Sequence, residues 1–399
     1  MNVSRENLPL YLAGAAAICT PVSIAAFEIL MGLAFVSIVA TRTKWRIPPV
    51  IWPLAVFFLW TMVSLVGHSS WHLGYPQVKK FYVFLMLFLV ATAFRTVKDA
   101  RCLASGWALA ASLSALWGVV QFYRKYQEAK GAGDDFYAHY ITHRITGFMS
   151  HWMTFSGHMM MALMIVGALV FFSQWRRASL WLVAAGAIIG VGLLLAETRS
   201  MWLGAAAGAA YLLWFWKRWT LIALPAVLAL IVVANPFGLG ERVKSAFKPH
   251  GELDSNAHRA MCRKIGWEMI KAHPFLGVGP EEVGPQHLNY LPPGTRLPLP
   301  EGYYGHLHSI YYQYAAERGV PAMLALMWFL GRMLYDFVLA LRRGGSRWIL
   351  HGAIAVMIAV LAGGVYEYNL NDSEVLAMFL AVMACGYVAV YEGEKECKA

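Results

Sequence analysis

The sequence predicts an all-α integral membrane protein of about twelve transmembrane helices, with both termini in the cytoplasm and one large extracytoplasmic loop between the ninth and tenth. Three observations predict it. Of 399 residues, 59% are hydrophobic and 14% charged, where an ordinary soluble domain has about 25% charged residues. The apolar residues fall in runs of about 17 to 23, the length that crosses a bilayer. Basic residues collect in every second connection between those runs, as expected if Lys and Arg are held on the cytoplasmic side. Disordered, collagen-like and disulfide-stapled classes are excluded. The five cysteines, Cys19, Cys102, Cys262, Cys385 and Cys397, are scattered and odd in number, so neither a disulfide framework nor a cysteine-based zinc site follows.

The expected spans run near 8–23, 24–41, 50–67, 79–95, 99–121, 152–173, 178–196, 200–217, 218–234, 319–341, 347–366 and 373–391. Only Thr20-Pro21 divides the first two, and only Trp216-Lys217-Arg218-Trp219 the eighth and ninth, so each pair reads as a tight hairpin. The first run follows Arg5 like a signal peptide, but it continues into further spans without a convincing cleavage site and is read as retained. The basic connections hold Arg42, Lys44 and Arg46; Arg95, Lys98 and Arg101; Arg176 and Arg177; Lys217 and Arg218; Arg342, Arg343 and Arg347; and finally Lys395 and Lys398. Three regions follow: 1–234 with nine helices and a shorter outer segment at 122–151, the large loop 235–318, and 319–399 with three helices and a cytoplasmic C-terminus.

The net charge of +11 does not imply nucleic acid, because much of it is spent on topology. The surplus lies in the two outer segments: Arg124, Lys125, Arg144, Arg242, Arg259, Arg263 and Arg296. In the larger segment, Asp254 to Ala272 reads as a helix with Ala257, Met261, Ile265 and Met269 on one face and Ser255 or Asn256 as cap. Pro292-Pro293-Gly294, Pro298 and Pro300 make the following stretch extended.

Several residues could carry chemistry, each with a plainer alternative. Arg199, in Ala196-Glu197-Thr198-Arg199-Ser200, stands between two spans, where a charge needs a partner or water; a salt bridge to Glu197 would suffice. Arg259 opens the loop helix and would alone be a solvated charge. His308 begins a stretch that re-enters the membrane, and a lone interfacial histidine is commonly a packing residue. His306-Leu307-His308 has a spacing that zinc sites use, with His258, His273 and His287 in the same loop, but no third ligand of clear type follows and no metal is expected. Arg144 precedes Trp152, whose interfacial anchoring explains that segment. Asp134-Asp135 reads as solvated. Arg332 and Asp336, four apart within a span, read as a same-helix ion pair, and Glu28 is also intramembrane.

Three local patterns, in order on the expected outer face, resemble the O-antigen ligase family, within the superfamily that also holds O-antigen polymerases and bacterial O-oligosaccharyltransferases. They are Thr198-Arg199-Ser200 followed by Gly204; Arg259 some fifteen residues before Pro274-Phe275-Leu276-Gly277-Val278-Gly279; and His308-Ser309 with Gly319 following. The resemblance extends to the topology of nearly the whole chain and implies a glycosyltransferase of the GT-C-like membrane class. The chain departs from the family at Ala322, where a second Gly is common, and at Ser150-His151-Trp152, where relatives show Pro-Asn.

The resemblance implies that a glycan is transferred from undecaprenyl diphosphate to a sugar hydroxyl of lipid A-core, on the periplasmic side of the bacterial inner membrane, in lipopolysaccharide biosynthesis. Diphosphate is a good leaving group, so the chemistry needs cations more than a general acid. Arg199 and Arg259 suit the diphosphate, since guanidinium presents a permanently charged fork. His308 suits the general base, because histidine exchanges protons near neutrality. Arg144 and His306 are weaker substrate-binding candidates. A single displacement would invert the anomeric centre. No cofactor is expected: lipid-linked transferases that hold a divalent ion use acidic residues in the first outer loop, which here is only a Thr-Pro turn. The expected partners are the lipid-linked donor, the lipid acceptor and membrane lipids, with no nucleic acid. Competing readings are a polymerase, a pilin O-oligosaccharyltransferase, a diphosphatase, and a transporter or flippase using Glu28, Arg332 and Asp336.

Overall fold

The computed structural model describes residues 5–68, 71–173, 180–247 and 255–396. Arg176, Arg177, Asp254, Cys397 and Lys398 lie outside the described residues. Helices make the whole framework, with no strand among the described residues.

The helices α1 (Leu8–Cys19) and α2 (Ile24–Ala40) are joined by a short turn, where Thr20 Oγ1 donates to the Ala17 carbonyl and Ser23 caps α2. After α3 (Ile51–Val66), α4 (Trp71–Lys79) and α5 (Leu85–Ala93) form one helical stretch through a 3-10 turn at Lys80–Phe84. It starts well before the expected residue 79. α6 (Val97–Ala132) opens on a reciprocal Thr96–Asp99 capping box and ends at Gly133, whose φ of 74° is left-handed. At 36 residues it is about 54 Å long, so the stretch expected as loop from 122 continues as helix: Gln121 to Lys130 is polar but rich in good helix formers. Then come α7 (Phe136–Thr142), α8 (Trp152–Phe172), α9 (Leu180–Leu195), α10 (Arg199–Trp216) and α11 (Ala223–Ala234). The stretch ending in α11 bends by 111° into the one holding α12 (Leu239–Lys244). The loop carries α13 (Ser255–Ala272) and α14 (Val283–Gln286) before α15 (Ile310–Arg342), α16 (Arg347–Gly363) and α17 (Ser373–Glu396).

The described part of every expected span falls on a helix, but among the described residues five helical stretches are long and apolar enough to cross a membrane, or six if the bent pair counts as one. They are His72–Ala93, α6, α8, α15 and α17. α1, with 12 residues, rises only about 18 Å. A multi-pass membrane protein is therefore established more coarsely than a twelve-span one. Its outer surface agrees: Val66 is 76% and Val233 84% exposed, side chains that suit lipid and not water.

α17 is the central helix, buried at every residue from Val375 to Ala389. α10 packs closely on α16 because Gly204 and Gly208 bring the backbones together. A Cβ on Gly204 would lie 2.4 Å from the Ala359 carbonyl oxygen, which is the small-residue solution for membrane helices. Within a bent α15, Arg332 Nε donates to both carboxylate oxygens of Asp336, at 3.0 and 3.1 Å, and Tyr387 Oη donates to the same group. The expected same-helix pair is present.

The loop has its own small core of Cys262, Ile265, Met269, Val278, Val283, Leu307 and Ala316. Ile265 and Met269 face inward as their spacing predicts, but Ala257 is exposed and His258 and Cys262 are buried instead. This turns the N-terminal half of α13 so that a histidine points inward.

Backbone contacts fix this loop to α15. Val278 N–H donates to the Ala316 carbonyl at 2.8 Å, Gly279 N–H to Glu317 at 3.0 Å, and Val320 N–H to Pro274 at 2.8 Å. Gly277 and Gly319 both have positive φ, 70° and 84°, and a Cβ on Gly319 would come within 1.8 Å of the Phe275 oxygen. Two of the three patterns singled out in the sequence thus form a single clasp, and its glycines exist for close approach.

Candidate functional site

The first helical residue of α10 is Arg199, presented by the sharp turn at Glu197, whose φ is 48°. Its guanidinium donates to Ser255 Oγ at 2.6 Å, Asn256 Oδ1 at 2.8 Å and Ser245 Oγ at 3.4 Å. The first two acceptors open α13, so they tie its start to α10. Arg259 lies one helical turn beyond Asn256, on the neighbouring face position. Its Nη2 donates to Glu367 Oε2 at 3.4 Å. The other oxygen of the same carboxylate, Oε1, faces His308 Nδ1 at 3.6 Å. Arg259 and His308 therefore converge on one carboxylate, and Arg199 grips the same helix one turn away.

His308 sits just before α15 in a left-handed conformation, φ 49°. Such a backbone is uncommon for any residue with a Cβ and collects at functional sites. Two groups hold the neighbourhood: Gln313 Oε1 accepts from Leu307 N–H at 2.6 Å, and His306 Nδ1 accepts from His308 N–H at 3.2 Å. His308 Nε2 lies 3.3 Å from the Tyr303 carbonyl oxygen. The Tyr303 carbonyl thus faces one ring nitrogen, and the Glu367 carboxylate lies near the other. His306 packs at 4.1 Å and His258 at 5.1 Å, ring centre to ring centre. Burial, then the charge of His308, lowers each of these two neighbours to about 4. Both are neutral at physiological pH.

Glu367 received no role from the sequence, which treated its connection as short and without chemistry. Burial would raise its carboxyl, but the facing His308 and the charge of Arg259 outweigh that and hold it at about 2. The only signal was a lone acid directly after a span, in Val365-Tyr366-Glu367-Tyr368-Asn369.

A second group of cations adjoins the first. Arg144 Nη1 and Arg242 Nε both donate to the Glu197 carbonyl, at 3.3 and 3.0 Å. Arg144 also stacks over Trp152 at 4.7 Å, so the tryptophan expected as an interfacial anchor packs against the arginine. Burial, then the charge of Arg242, lowers Arg144 to about 9, with Arg259 close enough to add to the effect. Glu197 is buried, and burial lifts it to about 7 against the pull of Arg242 and Arg144. Four arginines, Arg144, Arg199, Arg242 and Arg259, therefore surround one firmly ionised carboxylate and one poised near neutrality. The balance is cationic and fits an anion with several oxygens. Other surplus cations stay apart: Arg263 stacks on Tyr366 at 5.3 Å, Arg124 on Trp117 at 5.4 Å, and Arg296 is exposed.

His306, His308 and Glu367 each offer one ligand atom, all within 4.8 Å of one another, so a third ligand to the two histidines exists after all. It is 59 positions further along the chain than His308, where spacing could not reveal it.

A family model described as O-antigen ligase matches residues 184–327. The matched stretch runs from within α9 to the middle of α15 and contains Arg199, Arg259 and His308 together with both halves of the glycine clasp. No curated protein matches the chain.

Proposed function

We propose that this chain, a member of the O-antigen ligase and polymerase superfamily, transfers a glycan from undecaprenyl diphosphate to a sugar hydroxyl of lipid A-core by a metal-independent, inverting displacement. The observation that carries the reading is the convergence of Arg259 and His308 on Glu367, with Arg199 one turn away along α13. The acceptor hydroxyl approaches His308 at Nε2, replacing the 3.3 Å contact with the Tyr303 carbonyl. His308 takes the hydroxyl proton as the oxygen attacks the anomeric carbon, and Glu367 stabilises the imidazolium that forms. The bond from that carbon to the diphosphate oxygen breaks, and Arg199 and Arg259 neutralise the charge growing on the leaving group. Arg144 and Arg242 add to the field and hold the Glu197 turn that aims Arg199.

We place this site on the periplasmic side of a multi-pass protein in the bacterial inner membrane, with both termini in the cytoplasm and twelve spans. The test is transfer in vitro from a labelled undecaprenyl diphosphate glycan, with lipid A-core supplied or withheld and EDTA present or absent. Conjugate formed only with lipid A-core, and undiminished by EDTA, supports ligation. Elongated lipid-linked glycan would support polymerisation, and free glycan a diphosphatase. His308→Ala protein that is folded and still transfers at the wild-type rate would remove the base.

A further inference from the structure

We propose that His306, His308 and Glu367 form a binding site for a transition ion of the Zn²⁺ type, and that the ion inhibits transfer by occupying the base. The inhibitory half rests on the reading of His308 given above; the binding half does not.

Ligand geometry comes first. The three ligand atoms lie within 4.8 Å of one another. Bonds of about 2.0 to 2.2 Å in a tetrahedron place ligand atoms about 3.3 to 3.6 Å apart. The His308 Nδ1–Glu367 Oε1 pair, at 3.6 Å, already has that spacing, and the remaining separations must close by at most about 1.5 Å, a movement within reach of side-chain torsions. The orientation of His308 already suits an ion. Its Nδ1 is buried, has no hydrogen-bond partner and faces Glu367. Its Nε2 can donate to the Tyr303 carbonyl at 3.3 Å, the usual way in which a metal-bound histidine has its other nitrogen held. Glu367 is steadied in the same way by Arg259 on its second oxygen. His306 Nδ1 holds only the His308 amide at 3.2 Å, a neutral hydrogen bond that a metal bond outweighs.

Ligand chemistry then selects the ion. Two imidazoles and one carboxylate make a nitrogen-rich set that favours Zn²⁺ and its neighbours over Mg²⁺ and Ca²⁺, which demand oxygen. Three protein ligands leave a fourth position open, so the ion can enter a finished fold. Once bound through His308, it removes the nitrogen that Glu367 orients and adds two positive charges beside Arg259. Inhibition follows without any change of fold.

The experiment uses full-length protein in detergent, stripped of metal and titrated with Zn²⁺ against a chromophoric chelator. One ion per chain is expected, and His306→Asn and Glu367→Gln should each weaken it by more than about tenfold, while Mg²⁺ does not compete. Cys262→Ser keeps the ion; loss in that variant instead would move it to the Cys262–His258 pair, whose Sγ and Nε2 are 3.4 Å apart, and overturn the assignment. Binding unchanged in His306→Asn and Glu367→Gln, or no binding, also overturns it. Transfer should fall with Zn²⁺ and return with EDTA. Zn²⁺ held by these residues without loss of transfer would sink the inhibitory half and the base assignment while leaving the metal site standing.

Discussion

At the scale of single residues, the site is a contest over one carboxylate and several guanidinium groups. Glu367 holds Arg259 on one oxygen and His308 near the other, so Glu367→Gln removes the carboxylate charge beside the proposed base. Transfer should fall by about 10- to 100-fold, within the range that a positioned acid–base group contributes, and kcat should carry the loss while the KM for donor changes little. A KM effect alone would make Glu367 a binding residue. Arg259→Lys keeps the charge but loses the fork, and should cost at least about 100-fold in kcat/KM, as removing one preorganised donor does. Glu197 tests the electrostatics independently of catalysis. Its carboxyl moves from 4.5 to about 7 on folding, so the native state binds more protons than the unfolded one in that interval. Its contribution to stability is therefore lost as pH rises from about 4.5 to 7, on the order of 3 kcal/mol in full. Glu197→Gln should melt above the wild type at pH 8 in a thermal-shift assay, with the gap closing towards pH 5. Equal gaps at both pH values would refute the buried-acid account.

Among the elements, the clasp between Pro274–Gly279 and the start of α15 decides whether His308 and α13 face each other. The three backbone hydrogen bonds hold only while Gly319 lacks a Cβ, since an added one would sit 1.8 Å from the Phe275 oxygen at a φ of 84°. Gly319→Ala should lower the melting midpoint sharply and abolish transfer. Gly331→Ala, also within α15 but with nothing within 4 Å of its added Cβ, should be neutral or stabilise by up to about 1 kcal/mol. Equal midpoints for the two variants would mean that the clasp is not what holds the loop. Much of this scale is legible in the sequence. The glycines mark the turn, and Ile265 and Met269 mark the inner face of α13, because periodicity and backbone freedom are local properties. The lengths of α6 and α15 are not legible from hydropathy, since a helix leaving the membrane keeps its geometry while its side chains turn polar. The inward turn of His258 depends on where Tyr304 and His308 pack, which no local pattern encodes.

Across the whole molecule, the arginines are legible because a charge outside the connections that set orientation needs another reason to exist. Glu367 is not, since a single acid becomes meaningful only when the fold brings the segment after α16 beside α13. The transporter reading loses its central pair here: Arg332 and Asp336 satisfy each other, and Tyr387 closes the group. What remains is orientation. α15 runs 33 residues from beside His308, through its bend at Gly319, to Arg342, and α16 returns from Arg347 to end near Glu367. The basic connection 342–347 and the cluster of Arg259, His308 and Glu367 therefore lie at opposite ends of these helices. If Lys and Arg in short connections face the cytoplasm, the site faces outward, where a lipid-linked glycan and its lipid acceptor can both enter from the outer leaflet. Single cysteines in a background with the native cysteines replaced measure this directly. Glu301→Cys, exposed in the large loop, should react with a membrane-impermeant thiol reagent in cells whose outer membrane alone is opened, and Lys44→Cys, exposed between α2 and α3, only after the inner membrane is broken. The reverse pattern would turn the protein over and remove its access to a periplasmic acceptor.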